Sequence, residues 1–279
     1  MTRVSAEDIM RVVPEIMRSV SSESLLPRFQ QLRDADIEMK SPGEVVTVAD
    51  RDAEQRLTSQ LVRLLPGSRV VGEEQASLDP TILNALDDGD VWLVDPLDGT
   101  ANFVAGSPQF AMIVALLRHG QTTAAWILNP VSNVLMSATR GGGAYVGTTR
   151  VRAPRDVPDA ATMRGIVKTR FLPDNIRVSI EHRSSTLGMT LVGLGCAGVE
   201  YPAVAQGEQH YALYWRTLPW DHAAGVLILI EAGGRALRLD GSPYVPADPA
   251  KGLLVASNPG IWSTVHDLLL RGGEISSAM

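Results

Sequence analysis

Apolar residues recur at helical spacing along the N-terminal part of the chain. The spacing predicts one or two amphipathic helices over residues 7–32, interrupted at Pro14, and a second helical region that begins near Asp50. A polar loop at residues 40–44 separates the two regions. Asp50 is therefore expected at or near a helix start.

The pattern then changes to short apolar runs separated by turn residues, which is typical of β-strands. In the first half few helices lie between these runs, so an antiparallel or mixed sheet is expected. The predicted strands there cover residues 69–71, 91–94, 110–117, 122–128, 134–139 and 144–146. Further along, strands and helices alternate more regularly. Strands are predicted at 164–168, 211–214, 236–239 and 253–256, and helices at 221–232 and 261–270.

These elements are expected to form one domain over residues 1–279, because no linker, repeat or low-complexity tract divides the chain. Its N-terminal half would cover about 1–150 and its C-terminal half about 151–279. With 279 residues and 45% hydrophobic content, the chain can bury a substantial core.

Charge and cysteine content narrow the class of protein. The formal net charge is -6 and no basic stripe is present, so nucleic acid is not expected as a principal partner. No apolar run approaches the roughly 20 residues needed to cross a bilayer, and the first residues mix charges, so a soluble cytoplasmic protein is expected. The single cysteine, Cys196, excludes an internal disulfide and is expected to be a buried thiol.

Four carboxylates stand at the ends of predicted elements, namely Glu73, Asp95, Asp98 and Asp221. Asp98 and Asp221 are expected to cap the helices that follow them. Free amides at a helix start attract anions while these carboxylates repel them, and a bound cation would resolve the conflict. All-oxygen ligands favour Mg²⁺, with Mn²⁺ as an alternative, and argue against zinc.

A phosphate ester fits the remaining features of this region. Metal ions would bind its oxygens on one side, and the amides of Gly99 and Thr100 would donate from the other. Water would be the nucleophile, because no Ser-His or Cys-His arrangement is evident. Asp50 is equally well interpreted as a helix cap or as a catalytic residue. His222 is expected in a packing or solvent-facing role and His119 in a turn.

Three segments together resemble the inositol monophosphatase family of Mg²⁺-dependent, lithium-sensitive phosphatases. They are Gly72-Glu73-Glu74, the stretch DPLDGTANF at residues 95–103, and WDHAAG at 220–225 followed by EAGG at 231–234. The resemblance covers nearly the whole chain. It implies an α+β fold, a layered αβαβα sandwich of the inositol monophosphatase and fructose-1,6-bisphosphatase type, and usually a homodimer.

The resemblance also implies roles for individual residues. Two or three magnesium ions would be held by Glu73, Asp95, the main-chain carbonyl of Leu97, Asp98 and Asp221, with Asp95 bridging two of them. Thr100, polarised by Asp50, would help Glu73 to activate the attacking water. The substrate would be a small phosphorylated metabolite.

The leaving-group pocket departs from the family pattern. Inositol-specific members carry a glutamate seven residues before the aspartate of the Trp-Asp motif, and this chain has Tyr214 there. Cys196 stands where a hydroxyl residue is common. The residues expected to bind the substrate are Asp98, Gly99, Thr100, Cys196 and Tyr214.

An aromatic wall with Arg216 nearby favours a flatter or more anionic leaving group than inositol, such as an imidazole or nucleotide phosphate. The alternatives are therefore a histidinol-phosphate, nucleotide 3'-phosphate or sugar bisphosphate phosphatase. A further alternative, from another class, is a regulatory member of the family that acts by binding a partner.

Overall fold

The computed structural model describes residues 4–41 and 43–270, and its regular elements follow the chain in a simple order. The helices are α1 Ala6–Val20, α2 Val48–Leu64, α3 Glu73–Leu78, α4 Thr100–Val104, α5 Asp174–Ser184, α6 Ala197–Ala205, α7 Pro219–Ala232 and α8 Pro259–Leu270. The strands before residue 150 are β1 Ile37–Ser41, β2 Glu44–Thr47, β3 Arg69–Gly72, β4 Asp90–Asp98, β5 Ala111–Arg118, β6 Gln121–Asn129, β7 Val134–Thr139 and β8 Gly143–Val146. The later strands are β9 Thr149–Val151, β10 Arg164–Val167, β11 Met189–Val192, β12 Tyr211–Tyr214, β13 Arg235–Leu237 and β14 Leu253–Ala256.

A seven-stranded sheet is built from β3 to β9 in chain order. Its first pair, β3 and β4, is parallel, and every later neighbour is antiparallel, so the expected mixed sheet in meander order is confirmed. A sharp turn at His119-Gly120, both with positive φ, joins β5 to β6. His119 therefore lies in a turn, as predicted.

The two faces of this sheet are covered by different helices because side chains alternate along each strand. On β4, Trp92 and Val94 pack with α1 and α2, whereas Val91 and Leu93 pack with α6 and α7. Both faces of β4 are buried, which explains why its central residues are apolar without alternation.

The second sheet has five strands in the order β11-β10-β12-β14-β13. One of its faces shares a core with α6 and α7, and the other packs with α5 and α8. The layers are therefore α1/α2, the first sheet, α6/α7, the second sheet and α5/α8. This order confirms the predicted αβαβα sandwich.

Close contact between the two middle helices depends on small residues. Gly225 of α7 lies against the ring of Tyr201 on α6, and a Cβ at position 225 would come within 2.2 Å of that ring. Both helices are almost wholly apolar and buried, as expected for a layer with a sheet on each side.

Two helix caps were predicted wrongly. Asp98 is the last residue of β4, and the cap of α4 is Gly99, which adopts a left-handed conformation with φ +87°. Asp221 lies inside the first turn of α7, because the helix begins earlier, at Pro219, with Leu218 as its cap. Proline is favoured in the first turn of a helix, since it has no amide hydrogen to satisfy.

Several elements were not predicted. Lys40, Ser41 and Glu44, expected in a loop, belong to the strands β1 and β2, which pair as a hairpin. The sequence pattern also missed β9, β11, α5 and α6. Pro14 does not interrupt α1, which continues to Val20. In the part of the chain that the structure describes, no helix is long and apolar enough to cross a membrane.

Candidate functional site

A cavity of about 430 Å³ opens where the two sheets and the β1/β2 hairpin approach one another. Its floor is acidic and contains Glu73, Asp95, Asp98 and Asp221. Each residue comes from a different part of the fold: Glu73 begins α3, Asp95 and Asp98 lie at the end of β4, and Asp221 lies in the first turn of α7. The sequence-predicted carboxylates are thus brought to one place.

Three of the four acids form a tight group. One carboxylate oxygen from each of Glu73, Asp95 and Asp221 lies within 4.8 Å of the other two. The described residues contain no other group of this kind outside these three. Asp98 lines the same cavity but does not belong to this group.

An irregularity in β4 separates Asp95 from Asp98. The pairing with β5 shifts register between these two residues, so the strand continues with a bulge through Pro96 and Leu97. Asp95 Oδ1 accepts a hydrogen bond of 3.0 Å from the amide of Leu97. The bulge explains how two aspartates near the end of one strand both line the cavity.

The acids of the floor resist ionisation without a compensating cation. Burial raises the pKa of Asp95 well above its usual range, and Glu73, Asp98 and Asp221 raise it further. Burial likewise raises the pKa of Asp221, with added repulsion from Asp98 and Glu73. Carboxylates at this spacing repel one another by several kcal/mol at an effective dielectric near 20, since the energy is about 4 kcal/mol at 4 Å. A divalent cation would remove that repulsion.

Asp98 is fixed by the start of α6. Its Oδ2 accepts hydrogen bonds from the amide of Gly198 at 2.5 Å and from the thiol of Cys196 at 3.2 Å. Burial raises the pKa of Asp98 to about 6, and the Gly198 amide partly offsets this effect. Cys196 is a buried thiol, as predicted, but it lies behind Asp98 and not on the cavity surface, so the structure does not place it in contact with a substrate.

Asp50 caps a helix, which was one of its two predicted roles, and it also contacts a residue that lines the cavity. Its Oδ2 accepts hydrogen bonds from the amide and hydroxyl of Thr47, which form the capping box of α2. Its Oδ1 lies 3.0 Å from the hydroxyl of Thr100, which lines the cavity. Burial raises the pKa of Asp50 to about 6, while the hydrogen bonds from Thr47 and Thr100 oppose the shift.

The hydroxyl of Thr100 has two acceptors within reach. Its Oγ1 lies 3.0 Å from Asp50 and 3.0 Å from the carbonyl oxygen of Leu97. Because a hydroxyl carries one proton, donation to Asp50 leaves the Leu97 carbonyl free for another partner. The predicted polarisation of Thr100 by Asp50 is therefore compatible with the geometry.

Two residues that sequence reasoning missed hold Glu73 in position. Glu54, on α2, accepts hydrogen bonds of 2.8 and 2.9 Å from the amides of Glu74 and Gln75 at the start of α3. Lys40, on β1, donates to Glu73 at 3.1 Å and to Glu74 at 2.6 Å. Glu54 could have been found because it lies one helical turn after Asp50. Nothing in the sequence around Lys40 indicates that its side chain contacts Glu73 and Glu74.

The opposite wall of the cavity is aromatic and cationic. Tyr214 stacks on Tyr201 with ring centroids 5.5 Å apart, and the ammonium of Lys168 lies 5.1 Å from the Tyr214 ring. Lys168 also pairs with the fully buried Glu200 at 3.0 Å. Arg216 pairs with Glu44 of β2, across the mouth of the cavity. Tyr214 and Arg216 were predicted from the sequence to lie at the leaving-group pocket, whereas Lys168 and Glu200 were not.

His222 serves in packing, as predicted. Burial lowers its pKa to about 3, so the ring is neutral and carries one N–H. The carbonyl of Arg216 can only accept, so Nε2 carries the proton at 3.1 Å, and Tyr201 donates its hydroxyl to Nδ1 at 2.8 Å. Both ring nitrogens are therefore occupied within the protein.

The donor set fits a hard divalent cation. The grouped side chains offer only carboxylate oxygens. Nearby cations relieve their repulsion in part, Lys40 at Glu73 and both Lys168 and Arg216 at Asp221. Oxygen ligands of this kind suit Mg²⁺, Mn²⁺ or Ca²⁺ and do not suit zinc, which prefers nitrogen and sulfur.

Comparison with known proteins identifies the family of the chain. A sequence model of the inositol monophosphatase family matches residues 7–272. An inositol-1-monophosphatase of Rhizobium meliloti (strain 1021) is 31% identical over 256 residues, which cover 90% of this chain and 92% of that protein. The chain therefore belongs to the inositol monophosphatase family, and its enzyme class is that of the phosphoric monoester hydrolases.

Two solved structures support the same fold. The extragenic suppressor protein suhB from Bartonella henselae superimposes with a TM-score of 0.83 at 24% identity, over 95% of this chain and 99% of that chain. An IMPase/NADP phosphatase complexed with NADP and Ca²⁺ superimposes with a TM-score of 0.84 at 19% identity, over 98% of both chains.

Proposed function

We propose that this protein hydrolyses a small phosphate monoester in a reaction that requires two or three Mg²⁺ ions, with Mn²⁺ as an alternative. The observation that carries the proposal is the group of Glu73, Asp95 and Asp221, whose carboxylate oxygens lie within 4.8 Å of one another in the floor of a large cavity. Asp98 and the Leu97 carbonyl line the same cavity and would complete the ligand set.

The ions, when bound, would neutralise the acidic floor, polarise the phosphate ester and lower the pKa of water. The protein supplies the proton acceptors and the shape of the site. Asp50 accepts a hydrogen bond from the Thr100 hydroxyl, so the lone pairs of Thr100 Oγ1 are available to accept a hydrogen bond from the attacking water. Glu73, held by Glu54 and Lys40, would take up the proton that this water loses.

Gly99 occupies a position where a side chain would not fit. Its φ of +87° is in the left-handed region, and a Cβ there would lie 3.0 Å from the carbonyl oxygen of Gln109 and 3.1 Å from Cys196. A side chain at this position would be both strained and crowded. Gly99 thus allows the turn from β4 into α4, and the amides of Gly99 and Thr100 at this turn are proposed to donate to the phosphate ester.

The proposal includes the cellular context implied by family membership. We expect a cytoplasmic homodimer that lithium inhibits and that acts on a phosphorylated metabolite. Inhibition by lithium and the mass of the particle in solution can be measured on the purified protein, independently of the physiological substrate.

Phosphate release from a panel of monoesters, with and without Mg²⁺, tests the activity. The panel contains inositol-1-phosphate, histidinol phosphate, fructose 1,6-bisphosphate and adenosine 3',5'-bisphosphate. We expect Mg²⁺-dependent release from at least one of them and its loss in the Asp221→Asn variant.

The matched control is Asp88→Asn, the same chemical change at a carboxylate that is 68% exposed and lies outside the cavity. It should retain wild-type turnover. If the wild-type protein releases phosphate from no member of the panel, or if Asp221→Asn retains full activity, the proposal is wrong.

A further inference from the structure

One polar residue of the stretch DPLDGTANF, Asn102, does not line the cavity. Its side-chain Nδ2 lies 2.7 Å from the carbonyl oxygen of Gln109 and 2.8 Å from that of Leu194. A side-chain amide carries two N–H hydrogens, so both bonds can form at once. Asn102 therefore joins α4 to one segment close by along the chain and to another that is 92 residues away.

The two segments held by Asn102 are those that enclose Gly99. A Cβ on Gly99 would lie 3.0 Å from the Gln109 carbonyl oxygen and 3.1 Å from the Cβ of Cys196. Gln109 accepts directly from Asn102. Cys196 follows the other acceptor, Leu194, closely along the chain. The position of the turn at Gly99 therefore depends on two neighbours that Asn102 holds.

The segment 193–195, of sequence Gly-Leu-Gly, makes few hydrogen bonds of its own. Glycine has the widest backbone freedom of all residues, and Gly195 has φ +74°. Within the described part of the chain, the only hydrogen bond that reaches residues 193–195 comes from Asn102. Gly193 and Gly195 line the cavity, so Asn102 holds one of its walls.

The same segment leads into the residues that support Asp98. The thiol of Cys196 and the amide of Gly198 both donate to Asp98 Oδ2. A displacement at Leu194 would therefore reach a carboxylate of the floor within a few residues of chain. Asn102 is thus connected both to the turn at Gly99 and to the acidic floor.

We propose that Asn102 is a positioning residue, which holds the segment 193–195 against the turn at Gly99 and so sets the width of the cavity where the phosphate would bind. This inference rests on the proposed phosphomonoesterase function, which places the phosphate between the acidic floor and the amides of Gly99 and Thr100. Loss of the Asn102 amide would leave two carbonyls without their donor and release a glycine-rich wall. Small displacements of groups that orient a substrate lower the rate strongly.

Two substitutions remove the donors of Asn102. Asn102→Leu keeps about the same side-chain volume and adds no charge. Asn102→Ala, measured alongside, removes the same donors without introducing a branched side chain. Thermal unfolding establishes that each variant is folded.

The matched control is Asn258→Leu. The Nδ2 of Asn258 also donates to two carbonyls, those of Pro154 at 3.1 Å and Asp156 at 3.0 Å, and Asn258 does not line the cavity. Its Oδ1 further accepts from the amide of Ile261 in the first turn of α8 at 2.9 Å. The control should therefore destabilise the fold at least as much as the Asn102 variants do.

The first readout is kcat/KM for the best substrate of the panel in saturating Mg²⁺. We expect each Asn102 variant to lose roughly tenfold or more, whereas Asn258→Leu should stay within about twofold of the wild-type protein. An equal loss in the Asn102 and Asn258 variants would show a general effect on the fold. That result, or no loss in the Asn102 variants, would overturn the positioning role.

The second readout does not depend on turnover. Thermolysin cleaves before leucine, and Leu194 is 39% exposed. Cleavage of the Gly193–Leu194 bond, identified from fragment masses, should be faster in the Asn102 variants than in Asn258→Leu or the wild-type protein. Equal cleavage rates would overturn the proposal. Faster cleavage with unchanged kcat/KM would overturn it as well, because Asn102 would then stabilise the segment without positioning anything for the reaction.

Calorimetric titration with inorganic phosphate in Mg²⁺ distinguishes failure of this inference from failure of the proposed function. Weaker phosphate binding and faster cleavage in the Asn102 variants, without turnover of any ester by the wild-type protein, would contradict the phosphatase proposal and keep the positioning role. Turnover by the wild-type protein, with unchanged phosphate affinity and unchanged kcat/KM in the Asn102 variants, would do the reverse.

Discussion

At the scale of single residues, several carboxylates of the site have at least one oxygen hydrogen-bonded within the protein. Asp50 gives one oxygen to the capping box of α2 and the other to Thr100. Asp98 gives one to the start of α6, and Asp95 accepts from the amide of Leu97. These internal hydrogen bonds fix the orientation of each acid before any ligand binds.

The contact between Thr100 and Asp50 can be tested by removing one hydroxyl. Thr100→Val keeps the shape of the side chain but has no proton to donate and no oxygen to accept one. We expect kcat to fall by roughly 100-fold, since general acid-base groups contribute on the order of 10² to 10⁴ in rate. Steady-state kinetics in saturating Mg²⁺ provides the measurement.

Thr100→Ser is the matched control for that substitution, because it keeps the hydroxyl beside Asp50. It should retain activity within about tenfold of the wild-type protein. Equal activity of the valine and serine variants would show that the hydroxyl has no part in the reaction.

The residues of the candidate site could be predicted only in part from the sequence. Glu73, Asp95, Asp98 and Asp221 were predicted to converge, and all four line one cavity. Lys40, Lys168 and Glu200 were missed because each contacts a residue distant along the chain, and no local spacing records such a contact. Burial of Cys196 was predicted, but its place behind Asp98 and off the cavity surface was not, since neighbouring residues of a loop can face opposite sides.

At the scale of elements, long apolar runs and turn residues were sufficient to predict most strands of the first sheet. The elements that were missed are short or have weak patterns. The strands β9 and β11 have three and four residues, and α5 has little apolar periodicity. Asp98 and Asp221 were assigned as caps because a cap cannot be told from the residue before it or from a first-turn residue until the helix start is known.

The packing of α6 against α7 gives a prediction at this scale. Gly225→Ala would add a methyl group within 2.2 Å of the Tyr201 ring, so the helices must separate. Overpacking of this kind costs about 1 to 3 kcal/mol, and we expect the free energy of unfolding to fall by that amount. Urea denaturation measures the change.

A second background serves as the control for Gly225→Ala. In a protein that already carries Tyr201→Ala, the ring that the methyl group would meet is absent. The same glycine substitution should then cost well under half as much. An equal cost in both backgrounds would show that the contact between the two helices is not the cause.

At the scale of the whole molecule, the layered fold places the ends of elements from both halves around one acidic floor. The carboxylates brought together in this way repel one another when they are ionised, so the stability of the folded protein depends on pH. Burial raises the pKa of Glu74 to about 7 and raises the pKa of Asp95 and Asp221 well above their usual range. The protonated forms of these acids therefore favour the folded state, and this stability is lost as pH rises through the folded-state pKa values.

Thermal unfolding in EDTA between pH 6.5 and 8 should show this loss. His222, whose pKa is lowered to about 3 in the folded state, opposes this trend near pH 6.5, where about half of the unfolded-state imidazole is protonated, but by about pH 7.5 it is almost wholly neutral in both states. We expect the melting temperature of the metal-free protein to fall as pH rises. A constant or rising melting temperature would contradict the proposed repulsion between the buried carboxylates.

Magnesium should oppose this trend. Deprotonated carboxylates bind the ion better, so the increase in melting temperature on adding Mg²⁺ should be larger at pH 8 than at pH 6.5. The Asp95→Asn variant should show a higher metal-free melting temperature than the wild-type protein at pH 8 and little response to Mg²⁺. Differential scanning calorimetry of both proteins, with EDTA and with Mg²⁺, makes the comparison.

The central claim is that carboxylates from α3, β4 and α7 share metal ions in the floor of the cavity. Anomalous diffraction from crystals grown in Mn²⁺ tests it most directly, because the peaks locate the ions without reference to activity. We predict at least one peak within about 2.5 Å of oxygens from Glu73, Asp95 and Asp221 together. Manganese found only elsewhere, with the three carboxylates left without an ion between them, would contradict the account.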